Sequence, residues 1–163
     1  MIRTAKEIFL EQLAMALTYH APMEMGGAHF IDFTSNCINY FSYEVMDEDM
    51  DEEEIASLPA WQQEMAKDFI EHDLMKISPI PSNISFHIME DFASTQPANK
   101  AKFLYHALEK RRPFANFKIA AERAGILQEW YSFKNAKELE MAENWLTDNG
   151  LEYVDGEIRR KND

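Results

Sequence analysis

The segment from residue 28 to residue 45 restricts the fold more than any other, because aromatic and β-branched residues dominate it. Its two apolar runs are residues 29–33 and 38–43, and a polar break at residues 34–36 separates them. Short runs of this composition on either side of a break predict a β-hairpin. Asn36 tolerates the left-handed backbone of a tight turn. The chain is therefore expected to contain an antiparallel pair of strands.

On both sides of this segment, apolar residues recur at helical spacing. Thr4 and Glu7 have the spacing of a capping box, which predicts a first helix up to about Tyr19. A loop over residues 22–27 would follow. The buried stripe of this helix is predicted to be Phe9, Leu13, Ala16 and Leu17.

The middle of the chain predicts two more helices. One begins at Leu58-Pro59 and ends near Ile77, since Pro is tolerated in a first turn. Ser82 is expected to cap the next, after Pro79 and Pro81. The inward stripes are predicted to be Trp61, Met65 and Phe69 in the first, and Ile84, Ile88 and Phe92 in the second.

The last third is also predicted to be helical. A helix from Pro97 ends or kinks at Arg112, because Pro113 disfavours helix in the residue before it. Apolar spacing then continues from Phe114 to Gly125 and through a short turn of helix at residues 126–133. A cap at Asn135 would open the final helix, which stops at Gly150, and Asp155-Gly156 permits a small turn. The apolar stripes are predicted to be Ala101, Leu104 and Leu108, then Phe114, Phe117, Ala121 and Ala124, then Leu139, Ala142 and Leu146.

These elements predict an α+β fold that is mostly helical, with about six helices packed with one small antiparallel hairpin or sheet. The 163 residues, 46% of them hydrophobic, fit one domain over residues 1–163. Within it, residues 1–66 would form an acidic part with a helix and the hairpin. Residues 67–163 would form a helical part with a basic zone.

The single cysteine, Cys37, excludes an internal disulfide and a multi-cysteine zinc site. The first residues lack the apolar run of a signal peptide, and no stretch reaches the roughly 20 apolar residues that cross a bilayer. A cytoplasmic location without membrane function is therefore expected.

Charge is divided along the chain. The net charge is −13, which disfavours nucleic-acid binding by the molecule as a whole. From Glu7 to Ala66 there is no Lys or Arg against 13 Asp and Glu. From Lys100 to Lys137 there are nine basic against three acidic residues. Two zones of opposite charge can serve partners, or can satisfy each other within the fold or across a homodimer.

Several blocks in a fixed order resemble a known family. They are the hairpin at Phe30–Tyr43, an acidic run, Leu58-Pro59-Ala60-Trp61-Gln62, Ile88-Met89-Glu90-Asp91-Phe92, Arg112-Pro113-Phe114 with Phe117-Lys118, Trp130-Tyr131 with Phe133, and Trp145-Leu146. This series, over roughly residues 28–150, is similar to the uncharacterised bacterial protein family UPF0158. The resemblance implies a bacterial origin and a shared fold, and it brings no established activity or catalytic residue.

The first candidate for function is the acidic run, with seven carboxylates in eight positions. It could bind a basic protein partner, or it could simply be a solvated or flexible face, which is what charge runs usually are. It lacks the alternating oxygen ligands and central Gly of a calcium loop. The residues of this acidic surface are Asp47, Glu48, Asp49, Asp51, Glu52, Glu53 and Glu54.

The second candidate lies where Pro113 separates two predicted helices, a place where free backbone amides can receive an anion. Basic and aromatic residues there could bind phosphate, a nucleotide or single-stranded nucleic acid. Alternatively, the aromatic residues are core and the arginines pair with carboxylates. The candidate binding residues are Arg111, Arg112, Phe114, Lys118, Trp130 and Tyr131.

No reaction is indicated by the sequence. His87, Glu90 and Asp91 share a predicted helix face, but helix-surface hydrogen bonding accounts for them better than a metal site. Cys37 has no basic neighbour to activate its thiol. No glycine-rich phosphate loop or nucleophile motif is present, so no catalytic residue, metal or cofactor is predicted.

Function therefore stays open between three hypotheses. The first is a small cytoplasmic binding or regulatory protein that acts through its acidic surface. The second is an anion or nucleic-acid module that uses the basic zone at residues 100–137. The third is an enzyme whose site is assembled from scattered residues, which would require a pocket joining Glu90 and Asp91 to the basic residues.

Overall fold

The computed structural model describes residues 2–20 and 26–161. Within them the chain forms seven α-helices and five β-strands, which confirms the predicted mostly helical α+β class. The predicted loop at residues 22–27 lies largely outside the described residues, and Gly27 begins a strand. In chain order the elements are α1 Ala5–Leu17, β1 Gly27–Asp32, β2 Cys37–Ser42, α2 Glu52–Ala56, α3 Ala60–Glu71, β3 Leu74–Ile77, α4 Ser82–Ser94, α5 Ala98–Leu108, α6 Pro113–Arg123, α7 Leu127–Asp148, β4 Leu151–Val154 and β5 Glu157–Arg160.

The chain divides into two compact units. The sheet unit contains Met1–Pro79 and Ala142–Asp163, and the helical unit contains Ile80–Met141. Each has a hydrophobic cluster of its own, around Phe30 and Phe41 in the sheet unit and around Phe92 and Phe117 in the helical unit. That the chain forms a single domain stays a prediction.

The sheet unit is built on the predicted hairpin, which is confirmed. β1 is the central strand of a three-stranded antiparallel sheet with the order β2-β1-β3. Asn36 adopts the expected left-handed conformation, with φ of +57°. Its side-chain oxygen accepts a hydrogen bond from the Ile158 amide at 3.1 Å. The hairpin turn therefore holds the C-terminal strands as well as its own.

The helix predicted to reach Ile77 is shorter, and this prediction is wrong at its end. α3 stops at Glu71, and residues 74–77 form β3, which pairs with β1. The pairing gives the second edge of β1 its hydrogen-bond partners, and the Phe33 amide adds a bond to the Asp73 carbonyl at 2.9 Å. Tertiary pairing thus overrides the local helical pattern.

The predicted inward stripe of α3 is also wrong at Trp61. The residues that α3 buries are Gln62 and Ala66, whereas Trp61 is 67% exposed. Met65 and Phe69 are half-buried and pack against the core. Burial at positions 62, 66 and 69 shows that the inward face is rotated by one residue from the predicted one.

The acidic run is exposed, as predicted, but part of it is regular structure. Residues 52–56 form α2, whose N-cap is Asp51. The Asp51 carboxylate accepts a hydrogen bond from the Glu54 amide at 2.8 Å. Carboxylates in a first turn are stabilised by the helix dipole, which explains how such an acidic segment becomes helical.

The two ends of the chain complete the sheet unit. Thr4 and Glu7 form the predicted capping box of α1, and the predicted stripe is buried. Asp155 and Gly156 both have positive φ and join β4 to β5, a hairpin of which the sequence predicted only the turn. The Phe9 ring stacks on Tyr153, with centroids 4.5 Å apart.

The helical unit is built from α4, α5, α6 and the first part of α7. The inward residues predicted for α5 are buried, as are Phe92, Phe117 and Ala121. Ser82 makes no capping bond, because α4 follows directly from the extended backbone at Pro81, so the predicted Ser82 cap is wrong. Ile84, predicted to face inward, lies in the first turn of α4 and is exposed.

α7 corrects the prediction of two separate helices after Gly125. It continues through Asn135, where a cap was expected, to Asp148. A surface ion pair between Lys134 and Glu138, at 2.8 Å, crosses the expected break. The helix stops before Gly150, whose φ of +67° supports the predicted end. None of the helices in the described residues is long and apolar enough to cross a bilayer.

Gly27 tests how closely the sheet is packed. A Cβ atom at this position would lie 2.1 Å from the Phe41 carbonyl oxygen on β2. We expect Gly27→Ala to lower the free energy of unfolding by about 1–3 kcal/mol, as overpacking does. Urea denaturation of the full chain measures this change.

Gly125→Ala is the matched control for this change. Its φ of +73° strains any side chain, but no atom lies within 4 Å of the added Cβ. Only the backbone cost of about 1–2 kcal/mol is expected. If Gly27→Ala left the stability unchanged, the close approach of β1 to β2 would be contradicted.

Candidate functional site

The basic residues nominated from the sequence lie at the turn between α5 and α6. Arg111, Arg112 and Lys118 are exposed, and Phe114 is partly exposed. Arg112 has φ of +57°, a left-handed conformation that few residues other than Gly adopt. The Asn116 side-chain amide donates to the carbonyl oxygens of Arg111, at 2.6 Å, and Arg112, at 3.2 Å. These bonds hold the turn in place.

Trp130 does not belong with these residues. It is 6% exposed and packs edge-on against Phe117, with ring centroids 4.8 Å apart. A ring in this position cannot stack on a ligand at the surface. The structure places Trp130 in the core, so its nomination as a binding residue is corrected, and Tyr131, the next residue, is exposed.

A groove with a cavity volume of about 410 Å³ lies between α5 and α6. This volume falls within the range of about 300–1,000 Å³ that is usual for ligand pockets. Its Lys and Arg residues belong to the basic zone but are not among the binding residues nominated from the sequence. The groove is lined by Phe103, His106, Ala107, Lys110, Asn116, Ile119, Ala120, Arg123 and Ala124.

Two bases of this α5–α6 groove are without an acidic partner in their unit. All residues of the helical unit are described, and no carboxylate of that unit lies within 4.0 Å of the side-chain nitrogens of Lys110 or Arg123. The ion pairs of the unit are His87–Glu90, Lys134–Glu138 and Lys137–Glu140. Lys110 and Arg123 are therefore available to an external anion.

The sequence contains a signal for this groove. Phe103, His106, Ala107 and Lys110 are spaced i, i+3, i+4 and i+7, and the α6 residues continue this spacing from Asn116 to Ala124. Such spacing places Phe103, His106 and Ala107 on one face of α5, and Lys110 follows just after the end of that helix. The second set lies on one face of α6. What the spacing does not reveal is that the two faces meet. The adjacent Arg111 and Arg112 are the more conspicuous charges in the sequence, but they do not line the groove.

The acidic surface lies in the sheet unit. All seven of its carboxylates are exposed, while Ile55, the apolar residue next to them, is buried. The Asp47 side chain accepts a hydrogen bond from the Asp49 amide at 2.9 Å. Trp61 follows shortly after α2 and projects into solvent.

A buried carboxylate, Asp32, organises the turn end of the sheet. Its side chain is fully buried and accepts hydrogen bonds from the Ser35 amide at 3.0 Å and the Asn39 side-chain amide at 2.8 Å. His72 Nδ1 lies 2.7 Å from Asp32 Oδ2, and His72 Nε2 lies 3.4 Å from Asp68 Oδ1. Both imidazole nitrogens are thus engaged by carboxylates.

These contacts shift both pKa values. Burial alone would raise the pKa of Asp32, but the hydrogen bonds from His72, Ser35 and Asn39 and the charge of His72 together outweigh it, and the pKa is lowered. The hydrogen bond to Asp32 raises the pKa of His72. The arrangement therefore favours an ion pair of carboxylate and imidazolium.

The neighbouring thiol is not activated by this cluster. Cys37 pairs with Asp32 in the sheet register. Burial, together with the negative charge of Asp32, raises the pKa of Cys37. A thiol in this environment stays protonated and is a poor nucleophile.

No group of three or more His, Cys, Asp or Glu side chains in the described part of the chain is arranged to hold a metal ion. His87 Nδ1 lies 2.8 Å from Glu90 Oε1 on the surface of α4, which accounts for that pair by hydrogen bonding. Neither Glu90 nor Asp91 lines the α5–α6 groove. The pocket that the enzyme hypothesis required is not formed there.

A smaller cavity of about 180 Å³ lies at the other end of the sheet. Tyr19, His29 and Tyr40 form an aromatic cluster beside it, in which burial lowers the pKa of His29. A hydrogen bond with Tyr19, with burial, raises the pKa of Tyr40 to about 12. The side chains of His29 and Tyr40 are therefore neutral near pH 7. The volume of the cavity is below that of ordinary ligand pockets.

Comparison with known proteins gives a family. The model of the uncharacterised protein family UPF0158 matches residues 7–159. The chain belongs to this family. A UPF0158 protein of Pseudomonas aeruginosa is 27% identical over 150 residues, which cover 89% of this chain and 84% of the relative. No solved structure gives a significant match.

The family match confirms the resemblance seen in the sequence. The UPF0158 region contains the α5–α6 groove, the acidic surface and the Asp32 cluster. The family is uncharacterised, so membership in it does not establish a function for this chain.

The Asp32–His72 pair predicts a pH dependence of stability for this UPF0158 protein. Because the folded pKa of His72 is raised, its stabilisation is fully present below about pH 6.5 and is lost as pH rises through the folded value. Because that of Asp32 is lowered, its stabilisation is present above about pH 3.8 and is lost as pH falls. We expect His72→Gln to be more destabilising near about pH 6 than near about pH 9.

Denaturant unfolding at these pH values measures the difference. His87→Gln is the control, because the imidazole of His87 forms an exposed surface pair, which contributes little. A loss for His72→Gln that is the same at every pH would contradict the carboxylate–imidazolium pair.

Proposed function

We propose that this bacterial protein acts in the cytoplasm as a binding protein whose α5–α6 groove receives an anionic partner. The observation that carries the proposal is that Lys110 and Arg123, unpaired within their unit, both line a groove whose other lining residues are mostly apolar. Binding sites combine a concave apolar surface with a few convergent polar groups. The chain as a whole has a net negative charge, so a groove lined by two unpaired bases differs from it in the sign of its charge.

The chemistry of the lining favours binding over catalysis. The nine lining residues include no Ser, Thr, Cys, Asp or Glu, so the groove has no hydroxyl or thiol nucleophile and no carboxylate base. Lys110 and Arg123 supply charge and hydrogen-bond donors, which suit an anion.

Charge reversal in the groove tests the proposal. We expect the double variant Lys110→Glu/Arg123→Glu to bind a fluorescein-labelled short polyglutamate peptide about tenfold more weakly at low ionic strength. Such a loss corresponds to about 1.4 kcal/mol from two removed attractions and two added repulsions. Fluorescence anisotropy of the labelled peptide measures the affinity.

The control is Arg111→Glu/Lys118→Glu. It makes the same change of net charge at exposed residues that were nominated from the sequence but do not line the groove. We expect a much smaller loss of affinity from this control. An equal loss from both variants would show that only the overall charge of the helical unit matters.

The acidic surface supports a second candidate function, the binding of a basic protein partner. Trp61, 67% exposed, is the observation that favours it. Exposure of a Trp side chain to water is unfavourable, and Trp is enriched among the residues that supply most of the binding energy at protein interfaces. An aromatic anchor close in sequence to seven exposed carboxylates fits a partner with Lys or Arg side chains.

We expect Glu52→Lys/Glu53→Lys to weaken binding of a short polylysine peptide about tenfold at low salt, because two attractions become repulsions. Trp61→Ala is expected to add to this loss. Isothermal titration calorimetry measures both. Glu122→Lys/Glu129→Lys, at exposed residues of the helical unit, is the matched control, and an equal effect there would rule out a localised site.

A further inference from the structure

We propose that the anionic partner of the α5–α6 groove is an amphipathic protein helix with an apolar stripe between acidic residues. This inference rests on the proposed function of the groove and names the class of its partner. Each step below uses the residues that line the groove.

The floor of the groove is suited to a helix. Phe103 and Ile119, 55% and 45% exposed, are large apolar side chains on the two facing helices. Ala107, Ala120 and Ala124 lie among them and leave space above the backbone. Large side chains separated by small ones form the holes into which the apolar side chains of an incoming helix insert.

The positions of the polar residues set the length of the partner. Lys110 and Asn116 lie near the turn between α5 and α6, whereas Arg123 is the last residue of α6. From Pro113 at the turn to Arg123, α6 is about 15 Å long at 1.5 Å per residue. Positive charge near the turn and at the end of α6, with apolar surface between, is matched by a helix of about three turns with acidic residues near both ends.

Nucleic acid fits the groove less well. Binding of single strands uses several aromatic rings on which successive bases stack, and Phe103 is the one Phe, Tyr or Trp among the nine residues that line the groove. A polyanion of many phosphates would also be repelled by the net charge of −13. A short acidic helix has fewer charges and gains from apolar contacts that a phosphate backbone lacks.

The acidic segment of a second copy of this chain is also a poor match. α2 has five residues, and its apolar residue Ile55 is already buried within its own copy. The segment therefore has carboxylates without an exposed apolar stripe. A helix with an exposed apolar stripe is therefore a better match for the groove than this acidic segment.

The test compares three probes on the full chain. The first is a synthetic amphipathic peptide with Leu at helical spacing and Glu near both ends. The second is a scrambled peptide of the same composition, and the third is a short oligouridine. We expect the amphipathic peptide to bind about tenfold more tightly than the scrambled one, since only it presents a continuous apolar face. Its circular dichroism should gain helical signal on binding.

A variant separates apolar contact from charge. Phe103→Ala/Ile119→Ala removes exposed side chains, so folding should be preserved, as thermal unfolding would verify. We expect this variant to lose the preference for the amphipathic peptide, which is about tenfold, whereas its binding of polyglutamate falls much less because polyglutamate has no apolar face. Ile8→Ala, at an exposed apolar residue of the sheet unit, is the control.

Each outcome has a defined meaning. Equal binding of both peptides at the groove would overturn the helix inference but leave the anion-binding function intact. Tighter binding of oligouridine would overturn it in favour of nucleic acid. Absence of binding by all three probes and by polyglutamate would overturn the inference and the proposed function together.

Discussion

The surface charge of this protein depends on the sheet unit, which has too few basic residues to neutralise its acidic ones. The unit has 22 acidic residues and only seven basic ones, a net charge of −15, whereas the helical unit has seven acidic and nine basic residues, a net charge of +2. Several bases of the sheet unit are paired, as in Lys6–Glu143 and the two-bond contact of Arg160 with Asp73. Acidic side chains are left in excess there, and the helical unit keeps bases available at its groove.

Local signals predicted the elements whose structure is decided locally. The capping box at Thr4, the left-handed turn residue Asn36 and the helix stop at Gly150 each involve neighbours within a few positions. Their outcome in the structure agrees with the sequence because the residues that decide each of them lie close together in the chain. The hairpin and the mostly helical class follow from these signals and from apolar spacing.

The errors arise where distant residues decide. β3 is a strand because β1 offers it an edge, and Trp61 is exposed because Gln62 and Ala66 meet the core. The Asp32–His72 contact joins residues 40 positions apart, so no local pattern indicates it. At the candidate site, helical spacing defines each face of the groove, but only the packing of α5 against α6 makes Lys110 and Arg123 line the same groove.

The central claim is that the α5–α6 groove is the binding site, and chemical-shift mapping tests it most directly. Isotope-labelled full chain would be titrated with the acidic amphipathic peptide at physiological salt. The account predicts that the largest shifts occur at the amides of groove residues such as Phe103, Ala107 and Ile119, with little change in the sheet unit. Shifts concentrated around Arg111 and Lys118 away from the groove, or around α2 and Trp61, would contradict it.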